Sequence, residues 1–267
     1  MESDLRVFVI GFNKCATKAF HQFFSYNGLK SVHWENNVLA QDMWAQITGG
    51  KDPTGLHPGV QVFSDMECVT DLDLPPIEIY LHFRELYNWH PDAKFILNTR
   101  AVDAWIISRI YHMDGRYLDA WKHHYATRDV FDVIDRWRQS WAEHHAAVRE
   151  FFADKPDSLL EFDVDHDAPA KLCRHFEGVL SLDVKYFQVI REGKKTPSWW
   201  GVDAGEIVAA QNAVLSIDPN HARAHGILSL VAEHQGERDR SLYHADMAYK
   251  LMPEIPEFEA NLKRLLQ

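Results

Sequence analysis

The sequence is short of cysteine and of positive charge, and it lacks the long apolar runs of membrane proteins. Its three cysteines, Cys15, Cys68 and Cys173, are an odd number and lie far apart, which indicates reduced thiols and argues against a disulfide framework. There are 28 Lys and Arg against 39 Asp and Glu, so the formal net charge is −11 and no nucleic-acid partner is expected. No apolar run approaches the roughly 18 residues of a membrane span, and no signal peptide is evident. We therefore predict a cytoplasmic protein without a membrane span.

Signatures of metal sites and of nucleoside triphosphatases are also missing. Neither HExxH nor CxxC occurs, and the adjacent pairs His123-His124 and His144-His145 would point in different directions on a helix. We therefore predict no metal site. The triphosphatase loop GxxxxGK[ST] does not occur either, which counts against a P-loop nucleotide kinase or hydrolase.

The N-terminal stretch combines a buried strand with the start of a helix. Val7–Ile10 is a short apolar run typical of a parallel strand, and the pattern from Thr17 to Phe24 is helical. Unpaired N–H groups and the helix dipole attract an anion at such a junction. The stretch therefore predicts a phosphate-type site, with candidate residues Gly11, Asn13, Lys14, Cys15, Ala16, Thr17 and Lys18.

A second segment has the same strand-to-helix form and also ends in a group suited to phosphate. Lys94–Thr99 is an apolar strand, Arg100 follows it, and Ser108 lies eight residues further along a predicted helix. The planar guanidinium fork suits a phosphate dianion, and a spacing of about two helical turns lets both side chains face the same side. Sites of this kind form outside the carboxyl ends of parallel strands, where both segments end.

Both segments resemble those of sulfotransferases that use 3′-phosphoadenosine-5′-phosphosulfate (PAPS). Asn13–Phe20 is similar to the family's 5′-phosphosulfate loop, and Lys94–Ser108 is similar to its 3′-phosphate segment. Ala16 stands where that family usually has glycine, so the loop must avoid positive φ or carry strain. Lys18 replaces a more usual Ser or Thr and would add positive charge. A late basic loop resembles the one that closes over the 3′-phosphate, and its candidate residues are Arg191, Gly193, Lys194 and Lys195.

The resemblance implies transfer of a sulfuryl group from PAPS to a hydroxyl or amine, with release of 3′-phosphoadenosine-5′-phosphate (PAP) and no need of a metal. It gives Lys14 the role of stabilising the leaving group, and Ser108 that of restraining this lysine. A general base is also required. His33 is the first candidate, Asp65 the second as base or as orienter of a histidine, Glu35 a third, and Glu67, in the same segment as Asp65, a further candidate. The acceptor, a small molecule or a carbohydrate, stays open.

Short apolar strands alternate with helical segments, which predicts an α/β fold with a mostly parallel central sheet flanked by helices. The resemblance makes this a P-loop NTPase-like sulfotransferase fold over residues 1–202. Strands are predicted at Val7–Ile10, Lys30–Trp34, Val60–Ser64, Lys94–Thr99 and Ser158–Phe162. Helices are predicted between them at Lys18–Asn27, Asn37–Thr48, Pro76–Trp89, Val102–Met113 and, with a break, Arg116–Ala153.

Residues 203–267 form a predicted all-helical extension. Pro219 and Pro253 are 34 residues apart, and the small residues between them resemble a tetratricopeptide repeat. So short a repeat cannot bury its apolar face alone, so contact with the first domain, a second copy or another protein is expected. A non-catalytic scaffold that binds a partner through this tail is the alternative hypothesis.

Overall fold

The computed structural model describes residues 5–188 and 204–267. These residues group into two compact units. The first contains residues 5–127 and 133–188, and the second contains residues 128–132 and 204–267.

Strands and helices alternate along the first unit. Its described strands are β1 (Val7–Val9), β2 (Ser31–His33), β3 (Val62–Ser64), β4 (Glu67–Cys68), β5 (Ile77–Glu78), β6 (Lys94–Thr99) and β7 (Leu159–Asp163). The α-helices up to residue 188 are α1 (Thr17–Tyr26), α2 (Val38–Thr48), α3 (Phe83–Trp89), α4 (Val102–Ile110), α5 (Arg116–His124), α6 (Val130–Phe151) and α7 (Ala170–His175).

Five strands form one parallel sheet in the order β2-β3-β1-β6-β7. In register, Phe8 lies beside Phe63 on one side and Phe95 on the other, and His33 pairs with Ser64. A separate antiparallel hairpin joins β4 and β5. The predicted α/β class with a parallel central sheet is confirmed, and each predicted strand is present at its expected place.

The sheet is covered by apolar side chains on both faces, as parallel sheets require. Val7 and Val9 of β1 point into a cluster with Phe20 and Phe23 of α1. Phe8, between them in sequence, faces the other way and lies 5.4 Å from the Phe95 ring. This alternation along a three-residue strand explains why Val7–Val9 is apolar throughout.

One predicted helix is wrong at its start. Pro76–Trp89 does not begin as a helix, because Ile77–Glu78 forms β5 and residues 79–82 form a 3-10 turn before α3. Two consecutive prolines precede this segment, and the residue before a proline favours extended backbone. The predicted Val102–Met113 helix likewise ends at Ile110, and a tight turn follows it. The predicted break within Arg116–Ala153 is confirmed between α5 and α6.

The second unit is helical in its described residues. Its helices are α8 (Ala204–Ile217), α9 (Ala222–His234), α10 (Arg238–Leu251) and α11 (Pro256–Leu265). A Cβ at Gly226 of α9 would lie 2.6 Å from the Phe258 ring, so glycine is needed for α11 to approach this closely. The predicted helical extension is confirmed. Its likeness to a tetratricopeptide repeat stays a prediction.

The burial of His144 in α6 predicts that the protein loses stability in acid. Its Nε2 lies 2.7 Å from the Ile10 backbone oxygen, and burial lowers its pKa to about 4. The unfolded chain therefore binds the proton first, so stability present above about pH 6.5 is lost as the pH falls towards 4. We expect His144 alone to account for about 2 kcal/mol of the difference in unfolding free energy between pH 7 and pH 5.

Urea unfolding of wild type and His144→Gln at both pH values measures this share. The exposed His123→Gln is the matched control and should keep the wild-type pH dependence. Equal pH dependence in wild type and His144→Gln would contradict the assignment.

Candidate active site

One buried asparagine holds the loop between β1 and α1. Asn98 of β6 accepts a hydrogen bond from the Gly11 N–H at 2.7 Å through Oδ1. Its Nδ2 donates to the backbone oxygens of Cys15 at 2.8 Å and of Phe12 at 3.4 Å. Both ends of the loop are thereby fixed to β6. Asn98 is not among the predicted site residues, although a polar side chain inside an apolar strand was a usable signal.

Gly11 is required because the loop passes close against β6. A Cβ at this position would lie 2.0 Å from the Asn98 backbone oxygen and 2.5 Å from its Oδ1. No side chain can approach oxygen so closely, so any other residue would push the loop off the strand.

The loop backbone takes the left-handed conformation at two non-glycine residues. Lys14 has φ 62° and Ala16 has φ 60°. Of the two outcomes predicted for Ala16, the structure shows strain, because a Cβ disfavours this conformation by about 1–2 kcal/mol. Left-handed residues in such a turn direct successive N–H groups into a concave surface that suits an anion.

The side chains of the loop point in different directions. Asn13 and Cys15 are buried beneath it, and burial raises the pKa of the Cys15 thiol. These two residues can therefore meet a ligand only through their backbone. The Lys14 ammonium lies 3.4 Å from His112 Nδ1. Thr17 makes no side-chain cap at the start of α1, and its Oγ1 lies 3.3 Å from His33 Nε2.

A buried polar network supports the loop from below. The Asn13 side chain donates to Glu67 Oε1 at 2.7 Å and accepts from Arg109 Nε at 2.9 Å. Arg109 also donates to the Tyr117 hydroxyl at 2.7 Å. The hydroxyls of Tyr117 and Tyr80 each donate to Glu67 Oε2 at 3.2 Å. Both groups of the Asn13 amide are thus used inside the protein.

Arg109 is the charge at the centre of this network, with 1% of its surface exposed. Its Nη2 lies 3.9 Å from Glu67 Oε2 and 3.8 Å from Glu78 Oε1. The rings of Trp105 and Trp137 have their centroids 4.5 and 4.9 Å from the guanidinium carbon. Burial, followed by the neighbouring Asp65 charge, raises the pKa of Glu67 to about 8 although Arg109 opposes the shift.

His33 and Asp65 meet at the carboxyl ends of β2 and β3. His33 Nε2 lies 3.4 Å from Asp65 Oδ2. Burial raises the pKa of Asp65, and the charges of His33 and Lys14 oppose that shift. Asp65 Oδ1 is buried with no hydrogen-bond partner among the described residues. Two predicted base candidates therefore form one acid–base pair.

A cavity of about 600 Å³ opens above this pair. Its wall combines the outer face of α1, the turn after β2, the β3–β4 connection and the turn after α4. The lining residues are Lys18, His21, Gln22, Ser25, Tyr26, His33, Trp34, Asn37, Asp65, Glu67, Val69, Thr70, His112, Met113 and Tyr117. The cavity thus brings together positive, acidic and aromatic groups beside the loop.

Strained backbone surrounds the cavity on several sides. Residues 34–37 all have positive φ, as do Asp65, Met113 and Asp114. Conformations of this kind cost free energy and cluster at functional sites. The turn at 34–37 places Trp34 and Asn37 in the cavity wall, where the indole donates to Asn37 Oδ1 at 2.9 Å. Glu35, the third predicted base, is exposed on the outside of this turn and does not line the cavity.

His112 was not predicted as a site residue, and no local sequence pattern points to it. Burial lowers its pKa to about 3, with the charges of Lys14, Arg109 and Arg116 acting in the same direction. The imidazole is therefore neutral and can accept a hydrogen bond from the Lys14 ammonium. The tight turn after α4 carries it to the cavity wall.

Arg100 lies beside the loop, as the two sequence segments led us to expect. Its Nη1 donates to the Lys14 backbone oxygen at 3.3 Å. Its Nε and Nη2 donate to the two carboxylate oxygens of Asp165, each at 3.0 Å. Ser108 is half-buried on α4. Arg191, Gly193, Lys194 and Lys195 lie outside the described residues.

Within residues 5–188 and 204–267, no cluster of three His, Cys, Asp or Glu side chains is arranged to hold a metal ion. In the same described ranges, no helix combines the length and apolarity of a membrane span.

Comparison with known families finds a match over more than half of the chain. A family model described as the sulfotransferase domain matches residues 6–180, which include the loop, Arg100, the His33–Asp65 pair and the buried network. The chain therefore belongs to the sulfotransferase domain family, and this membership supports sulfotransferase activity in general terms. No curated protein matches the chain in a sequence search.

The strain at Ala16 predicts that glycine stabilises the protein at this position. Ala16→Gly should raise the free energy of unfolding by about 1 kcal/mol, because glycine adopts positive φ without a Cβ clash. Chemical denaturation measures the change. Ala19→Gly, three residues along in α1, is the matched control and should instead lower stability by about 1 kcal/mol. Destabilisation by Ala16→Gly would show that the alanine methyl contributes packing that outweighs its strain.

Proposed function

We propose that this protein is a PAPS-dependent sulfotransferase that sulfates a hydroxyl or amine of a small-molecule or carbohydrate acceptor and releases PAP. The observation that carries the proposal is the contact between the two predicted anion-binding segments. Arg100 donates to the backbone oxygen of Lys14, so the guanidinium and the loop adjoin at the carboxyl edge of the sheet. A cavity with an acid–base pair lies beside them.

The loop fits the 5′ end of such a donor. Gly11 and Asn98 fix its path, and the left-handed residues at 14 and 16 give it the concave form that anions favour. Lys14 and the N-terminus of α1 supply positive charge. Arg100 offers a two-bond fork for the 3′-phosphate, with Ser108 and the basic residues 191–195 as further candidate ligands.

Bound PAPS would supply a sulfuryl group attached to a good phosphate leaving group. Lys14 is proposed to stabilise the negative charge that develops on the departing oxygen, and the loop N–H groups and Thr17 assist it. His33 is proposed to take the proton from the acceptor, and Asp65 to orient His33 and balance its charge. Preorganised positive groups and correct positioning account for the catalysis in this scheme.

A nucleotide kinase or hydrolase is the less favoured enzyme class, because the Gly-Lys-Ser/Thr loop is missing. A non-catalytic scaffold is the other alternative, in which the helical tail binds a partner. His33 and Asp65 line the cavity, and Lys14, whose backbone oxygen accepts from Arg100, contacts the cavity residue His112; this arrangement favours an enzyme. Contact through the helical tail, self-association and a cytoplasmic location stay predictions.

The first experiment is calorimetric titration of the purified protein with PAP, compared with ADP and with ATP plus magnesium. We expect micromolar PAP binding, at least tenfold weaker binding of the other nucleotides, and a loss of about tenfold or more in PAP affinity for Arg100→Ala. Arg149→Ala is the control, since it removes another arginine that is paired with a carboxylate. A folded protein that does not bind PAP would overturn the assignment of the donor.

Lys14→Ala should lower kcat by about 100-fold to 1,000-fold, the usual effect of removing one stabilising group at developing charge. Release of PAP from PAPS over a panel of phenol, alcohol, sugar and amine acceptors measures this change. Lys30→Ala, which removes an exposed lysine bonded to the Pro58 backbone oxygen, is the control and should keep wild-type turnover. A Lys14→Ala protein with normal turnover would exclude the proposed mechanism. No turnover in wild type, with a partner bound equally by both proteins, would favour the scaffold.

His33→Gln should lower kcat by about 100-fold or more with little change in PAP affinity, because it removes the base and leaves the donor site intact. Asp65→Asn should lower kcat less, since it acts through His33. Glu35→Gln provides the matched control, because this exposed residue belongs to the next turn and should leave kcat unchanged. Loss of activity in Glu35→Gln with normal activity in His33→Gln would reverse the assignment of the base.

A further inference from the structure

The Arg100–Asp165 pair is an ion pair with defined geometry. Arg100 directly follows β6, and Asp165 lies in the turn directly after the neighbouring β7. One edge of the guanidinium, Nε and Nη2, makes two bonds of 3.0 Å to the two oxygens of one carboxylate. The remaining nitrogen, Nη1, donates to the Lys14 backbone oxygen. The edge that is directed away from the loop is therefore filled by Asp165.

The turn that carries Asp165 is held by several backbone bonds. The Val164 N–H donates to the Thr99 backbone oxygen at 2.9 Å, which ties the turn to the residue before Arg100. The Asp165 N–H donates to Asp163 Oδ1 at 2.9 Å, and the Asp167 N–H donates to the Asp163 backbone oxygen at 2.8 Å. The backbone thus places the carboxylate opposite the guanidinium, while the side chain, 27% exposed, is able to rotate towards solvent.

A carboxylate and a phosphate use the same two-oxygen contact with a guanidinium edge. If the 3′-phosphate of a nucleotide approached Arg100 with Asp165 still in place, a dianion and a carboxylate would share one positive group. Like charges at contact distance repel strongly in a partly buried site. The Asp165 carboxylate and a 3′-phosphate therefore cannot occupy this edge of Arg100 at the same time.

We propose that Asp165 competes with the 3′-phosphate for one edge of Arg100, so that nucleotide binding exchanges a carboxylate for a phosphate. The inference rests on the proposed function. A nucleotide with a 3′-phosphate offers a dianion that displaces the single charge of Asp165. A nucleotide without one leaves the pair closed and gains nothing from Arg100. Asp165 thereby lowers the affinity of Arg100 for the 3′-phosphate and keeps the arginine paired when no such group is bound.

Titration of wild type and Asp165→Asn with PAP and with adenosine 5′-monophosphate tests this exchange. Asparagine keeps the size of the side chain and removes the charge that competes for Arg100. We expect PAP to bind Asp165→Asn about threefold to tenfold more tightly than wild type. The reason is that PAP no longer has to break a partly exposed ion pair or approach a carboxylate of the same charge. Binding of adenosine 5′-monophosphate, which lacks the 3′-phosphate, should stay within twofold of wild type.

Glu161→Gln is the matched control. Glu161 lies on β7 four residues before Asp165 and forms an equally two-bonded pair with Arg149, at 2.9 and 2.6 Å. This variant removes the same charge from the same region, so any general effect of charge on anion binding appears in both variants. We expect Glu161→Gln to keep the wild-type ratio of PAP to adenosine 5′-monophosphate affinity.

The outcomes separate the two proposals. Unchanged or weaker PAP binding by Asp165→Asn, with normal PAP binding by wild type, would mean that Asp165 orients Arg100 or is not displaced, and would overturn the inference alone. Absence of PAP binding by folded wild type would overturn both proposals. Should Asp165→Asn fold poorly, the Arg100 Nε–H resonance of wild type gives a second measurement. PAP should shift this resonance and adenosine 5′-monophosphate should not, and equal shifts would contradict the exchange.

Discussion

A single buried guanidinium connects the elements on which the candidate active site is built. Arg109 of α4 reaches the loop through Asn13, β4 through Glu67, β5 through Glu78 and α5 through Tyr117. A charge in this position is tolerated only with its partners, since breaking a buried pair leaves an unpaired ion and typically costs about 3–5 kcal/mol. The loop, the β4–β5 hairpin and α4 therefore hold their relative positions together. The positions of the polar groups that line the cavity therefore depend on the buried network beneath them.

Most of the fold followed from local patterns, because the central strands β1, β3 and β6 are largely buried and are mainly apolar for that reason. Val7–Val9 and Lys94–Thr99 were recognisable without any knowledge of their neighbours. The start of the predicted Pro76–Trp89 helix was wrong for the opposite reason. Ile77–Glu78 becomes a strand by pairing with Glu67–Cys68, and such a two-residue hairpin has almost no periodicity of its own.

In the candidate site, too, some residues could be predicted from local sequence and others depend on contacts between distant parts of the chain. The loop and Arg100 were predictable because the spacing of their residues along the chain has a physical meaning. His112 and Asp165 were not, because each acts through one contact with a residue far away in sequence, the first with Lys14 and the second with Arg100. The pairing of His33 with Asp65 could be predicted only in part. Both follow strands that were expected to end at one edge, but only the sheet order makes β2 and β3 neighbours.

Asn98 lies on β6 and Arg100 follows two residues later, directly after the strand, and each serves a different part of the site. Asn98 fixes the loop, and Arg100 begins where the strand ends. Two residues of a parallel strand span about 6.6 Å. The backbones of Asn98, which holds the loop, and of Arg100 are therefore a fixed covalent distance apart. A ligand that places one anionic group in the loop and another on Arg100 must match this spacing, whatever its chemistry.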